Sequence, residues 1–138
     1  MTVYAHSGPV SCLATDADAS VCVSGSFDGS AMAWRMSDGH LLQTLHLPKR
    51  CNDLALLAFD SAGGTSAEAK DELGARSLIV TACDDASVCL FDLASGELER
   101  RFDAQSAVYC VCAPDRNHSS SSDGMILCGT ASGALKVW

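Results

Sequence analysis

Short, nearly continuous apolar runs alternate along the chain with turns rich in Gly, Ser and Asp. Hardly any stretch carries the 3.6-residue period of an amphipathic helix. Three stretches align with one another: Val21–Trp34, Leu78–Phe91 and Met125–Trp138. Each predicts strand, tight turn, strand, and each ends in an aromatic. The turns hold Asp28-Gly29, Asp84-Asp85 and Ser132-Gly133, residue types suited to a hairpin. A further strand is predicted upstream of each hairpin, at Val10–Thr15, Asp53–Phe59 and Ala107–Ala113. After a second turn a short outer strand follows the first two hairpins, at Leu41–Leu45 and Glu97–Phe102. The predicted fold is all-β: three four-stranded antiparallel units in tandem. The inner strands are apolar on both faces, as expected of sheets packed between neighbours.

The aromatics ending the units are 57 and 47 residues apart. The surplus falls in Ser61–Ser77 and Asp115–Asp123, polar segments that read as insertions between the first and second strands. Ser66–Leu73 is a candidate short helix with Ser66 as its cap.

The 138-residue chain suits one domain, and its 48% hydrophobic content excludes wholesale disorder. The formal charge of -8 disfavours nucleic acid and anionic membranes as partners. Residues 51–100 carry seven of these eight net charges. They read as a solvated surface or as a patch for a basic partner. The eight cysteines sit mostly inside apolar runs such as Val21-Cys22-Val23 and Val88-Cys89-Leu90, where a free thiol acts as a small hydrophobe. No Cys-x-x-Cys pair is present, so no metal is expected. The N-terminus has no basic start or long apolar segment, and the longest apolar run, Leu54–Phe59, is far too short to span a bilayer. Reduced cysteines and a cytoplasmic or nuclear location are therefore expected, with no membrane partner.

These units resemble WD40 repeats, and the resemblance covers almost the whole chain. Its repeats fall at about 6–35, 47–92 and 104–138. In the first, Ala5-His6 stands for the family's Gly-His pair, Ser24-Gly25-Ser26 for the second-strand motif, Asp28 for the turn acid and Trp34-Arg35 for the Trp-Asp pair. The second keeps Asp85 and Phe91-Asp92 but has Leu47 at the His position. The third keeps Trp138 but has Ser132 for the acid and Ala104 for the His. The resemblance implies β-propeller blades and assigns His6, Ser24, Asp28 and Trp34 to a structural tetrad, with Ser26 as the alternative to Ser24. It also implies that Thr2–Ala5 is the outer strand of a preceding blade. Propellers close with about four to eight blades. Three blades therefore belong to a larger propeller, or pair with a second copy or another chain.

No catalytic residues, cofactor site or metal site are expected. His40 and His118 lie in turn and loop sequence, and His46 stands beside the missing tetrad position as a slipped substitute or a plain surface residue. There is no phosphate-binding Gly-rich loop and no nucleophile elbow. The reading is a protein–protein interaction scaffold. The alternatives are a purely structural propeller segment and, less favoured, a propeller enzyme. The candidate partner-binding rim is Phe27, Lys49, Arg50, Asp84 and Gln105, on turns that a propeller brings to one edge. Phe27 is either an exposed anchor beside two positive charges or a cover folded onto Pro9.

Overall fold

The computed structural model describes residues 2–59, 76–113 and 125–138. Every regular element among them is a β-strand. The first sheet holds β1 (Val10–Thr15), β2 (Val21–Ser26), β3 (Ser30–Arg35) and β4 (Leu41–His46), paired in chain order. The second repeats the pattern with β5 (Cys51–Phe59), β6 (Arg76–Cys83), β7 (Ser87–Asp92) and β8 (Leu98–Asp103). The third holds β9 (Val108–Cys112), β10 (Leu127–Thr130) and β11 (Leu135–Val137). All pairings are antiparallel.

An outer strand is expected only after the first two hairpins, and the third unit accordingly has three strands among the described residues, with β11 as its edge. Thr2–Ala5 is not a strand. It lies against the first sheet, where Val3, Tyr4 and Ala5 line a cleft with Val10 and Trp34, whereas the free edge of β11 belongs to the third sheet. The strands it would join as the outer strand of a preceding blade are none of the eleven described strands. The first insertion is also shorter than expected, since β6 begins at Arg76. The candidate helix Ser66–Leu73 and most of both insertions lie outside the described residues.

The two-residue period of a strand explains the continuous apolar runs. In β6, Leu78, Val80 and Ala82 enter a core between the second and third sheets, while Ile79 and Cys83 enter one between the first and second. In β7, Val88 and Leu90 divide from Cys89 and Phe91 in the same way. A sheet buried on both faces has no polar side to show.

The first strands β1, β5 and β9 pack side by side, and each carries a bulge at its second position. Ser11, Asn52 and Tyr109 are the residues left without a cross-strand partner. A bulge re-aims a side chain, and two of these three reach the next sheet. Ser11 Oγ donates to the Cys51 carbonyl at 2.5 Å, and Asn52 Nδ2 donates to the Val108 carbonyl at 2.8 Å. The Asp53 carboxylate adds a second link by accepting the Val111 N–H at 3.0 Å.

Candidate functional site

The Asp28-Gly29 turn joins β2 to β3, with Gly29 at φ +82°, the left-handed region open to glycine. Asp28 Oδ1 accepts the Ser30 N–H at 2.9 Å and the Ser30 hydroxyl at 2.6 Å. Oδ2 accepts the Ser7 N–H at 2.9 Å and lies 3.2 Å from His6 Nδ1. On its other side, His6 Nε2 is 2.8 Å from Ser24 Oγ, which also accepts the Trp34 indole N–H at 3.0 Å. One proton arrangement satisfies the chain. Nδ1–H points toward the carboxylate, with Ser30 Oγ sharing it at 2.9 Å, and Nε2 accepts from Ser24. The turn backbone is open to solvent, yet the side chains of His6 and Asp28 are only 5% and 10% exposed. Burial of the carboxylate raises its pKa. The hydrogen bonds from Ser30 Oγ and the Ser7 and Ser30 N–H groups, with His6 alongside, outweigh that and hold it well below the usual carboxylate range.

The structure thus joins His6, Ser24, Asp28 and Trp34 in one network. Ser26 stands apart, donating to the Pro9 carbonyl at 2.9 Å. Ser30 and Ser7 are members that the sequence reading missed. The spacing Asp-x-Ser, shared by Asp28-Gly29-Ser30 and Asp85-Ala86-Ser87, was the available signal.

The second sheet solves the same problem without His or Trp. Asp85 Oδ1 accepts the Ser87 N–H at 3.1 Å and hydroxyl at 2.5 Å, and Oδ2 meets Arg101 Nη2 from β8 at 2.7 Å. Leu47 and Phe91, at the His and Trp positions, are buried together in the first core. Apolar packing replaces the inner half of the network. His46 is exposed at the end of β4 and takes no place in it. In the third sheet Thr130 Oγ1 closes the turn by accepting the Ala134 N–H at 3.2 Å, and the Trp138 ring stacks on Phe102 with centroids 5.2 Å apart.

The five rim candidates fall on successive turns along one end of the sheets. Phe27 is in the β2–β3 turn, Lys49 and Arg50 in the β4–β5 connection, Asp84 in the β6–β7 turn and Gln105 in the β8–β9 connection. Backbone bonds tie these turns together. Leu47 N–H donates to the Gly29 carbonyl at 2.8 Å, Asp84 N–H to the Arg50 carbonyl at 3.1 Å, and Ala104 N–H to the Ala86 carbonyl at 2.7 Å. Phe27 meets Pro9 through its backbone, N–H to carbonyl at 3.0 Å. Phe27 stays 43% exposed, with the Arg50 guanidinium 5.7 Å from its ring centroid. Lys49 and Asp84 are exposed beside this pair, and Gln105 Oε1 accepts from Lys136 Nζ at 3.3 Å further along.

Beside the His6 network, Val3, Tyr4, Val10, Leu13, Trp34 and Met36 line an open apolar cleft of about 540 Å³. Among the described residues no three His, Cys, Asp or Glu side chains converge in a metal-holding arrangement. No helix among them is long and apolar enough to cross a membrane.

No curated protein matches the sequence. The family model described as "WD domain, G-beta repeat" matches residues 1–35 and 96–138, more than half of the chain. The unmatched middle includes the unit in which Leu47 and Phe91 replace His and Trp. With tandem four-stranded antiparallel sheets and the matched segments at both ends, the chain belongs to the WD40 repeat family.

Proposed function

We propose that the chain is a non-catalytic protein–protein interaction scaffold whose partner docks on the rim of Phe27, Lys49, Arg50, Asp84 and Gln105. WD40 repeats generally serve protein–protein interaction. One observation carries the choice of rim: Phe27 is an exposed aromatic residue at a polar turn, with the Arg50 guanidinium over its ring. An exposed aromatic paired with Arg is a favourable anchor, since Trp, Tyr and Arg dominate interface energetics and aromatics are enriched in interface cores. The tetrad and the bonded turns hold that pair on a rigid support. Further blades or a second copy complete the propeller. The eight free thiols fit a reducing compartment, cytoplasm or nucleus.

The double variant Phe27→Ser with Arg50→Glu tests the reading. Proteins captured by the wild-type chain are identified, and their binding is measured again with the variant. Folding retained with binding weakened at least tenfold is the expected result. Unchanged binding, or loss of folding from Phe27→Ser alone, contradicts it.

A further inference from the structure

We infer that Cys12 and Cys51 are an oxidation site, at which two thiols on neighbouring first strands join into a reversible disulfide between the first and second blades. Their sulfurs are already 3.7 Å apart, although 39 residues separate them in sequence. The bond from Ser11 Oγ to the Cys51 carbonyl holds β1 against β5 at this point. The site also depends on Gly25, which lies opposite Cys12 on β2. A Cβ there would come within 2.5 Å of Cys12 Sγ and 2.7 Å of Cys51 Sγ. The missing side chain is the space that the two thiols share. Bond formation requires the sulfurs to close from 3.7 Å to about 2.05 Å.

The two thiols are not equivalent. Cys51 is fully buried, with its Sγ 3.4 Å from the Asp53 carbonyl oxygen. Cys12 is half-buried and is the less buried residue of the two. Its hydrogen bond with Cys51 lowers the Cys12 pKa, with help from Ser11 and against the effect of burial. That same bond, then burial, raises Cys51. Cys12 is therefore the attacking thiolate and Cys51 the resolving thiol.

With hydrogen peroxide as oxidant, the steps balance. Cys12 releases its proton and its sulfur attacks one peroxide oxygen. The O–O bond breaks, hydroxide leaves and takes up that proton as water, and Cys12 becomes a sulfenic acid. Cys51 sulfur then attacks Cys12 sulfur, the S–O bond breaks, and hydroxide leaves with the Cys51 proton as a second water. Two thiols have lost two electrons and peroxide has gained them. A small thiol reductant reverses the link by exchange. Cys51 directly follows Arg50, so the staple fixes the base of the loop that lays the guanidinium over Phe27. The inference stands whether or not that rim binds a partner.

The test uses the whole chain, folded, treated with hydrogen peroxide, alkylated, denatured and mapped by mass spectrometry. Two of the eight thiols should be lost, the Cys12 and Cys51 peptides should be joined within one chain, and a thiol reductant should restore both. In Cys51→Ser, a sulfenic-acid trap should label Cys12. Cys83→Ser and Cys89→Ser should form the link as the wild type does. Retention of all thiols, a link between Cys83 and Cys89, a link only between chains, or irreversible oxidation of Cys12 would each overturn the proposal. The wild-type map decides the matter if a variant fails to fold.

Discussion

Asp28 holds five donors around two oxygens, and that concentration makes its removal costly. The alanine variant leaves the Ser7 and Ser30 N–H groups without their acceptor and His6 Nδ1 with Ser30 Oγ alone. Asp28→Ala should cost about 1–3 kcal/mol in urea denaturation at pH 7. Asp18→Ala, at an exposed turn, should change little. Equal losses would contradict the argument. The pH dependence has a definite sign. The folded carboxylate titrates below the unfolded value of about 3.9. Its contribution is fully present above that pH and fades as pH falls through the folded value. The gap between wild type and Asp28→Ala should thus be constant from about pH 5 to 8 and shrink below about pH 4. A gap that widens in acid would contradict the assignment.

At the scale of elements, two equivalent turns offer a paired experiment. Gly29 and Ala86 each follow the turn aspartate, and both have positive φ, +82° and +68°. An alanine Cβ at Gly29 has room, its nearest neighbour lying 3.6 Å away, so only backbone strain opposes it. Gly29→Ala should cost about 1–2 kcal/mol, and Ala86→Gly should gain about 0.5–1 kcal/mol. Urea midpoints moving in the same direction would contradict this. The hairpins themselves were legible in the sequence, because Asp28-Gly29 and Ser132-Gly133 are local signals and the apolar runs beside them need no distant information. The tetrad positions were legible only through resemblance to a repeat. Arg101 was not legible as the partner of Asp85, because it arrives from β8, 16 residues away. The bulges at Ser11 and Asn52 escaped notice for a related reason. A bulge is a property of register, fixed by both strands and the neighbouring blade, and no single run of residues encodes it.

Across the whole molecule, the two interior cores contrast with two flanks left uncovered by the described residues. Tyr4 is 95% exposed, and Val10, Leu13 and Met36 are exposed on the first blade. Leu135 is 71% exposed, with Met125 and Val137, on the third. The edge of β11 adds unpaired backbone groups. This 138-residue chain should therefore self-associate at micromolar concentration, with light scattering giving a mass above 14.4 kDa. A compact monomer that unfolds cooperatively would contradict this.

The bulge links give the array a grammar as well as a grip. Ser11 speaks to the second blade and Asn52 to the third, always from a side chain to the next carbonyl. The blades are therefore not interchangeable syllables. Tyr109, at the same place in the third, is an exposed phenol on a much longer stem. A permuted chain that set the third blade ahead of the first would meet that phenol where a short donor belongs, and the sentence would not read.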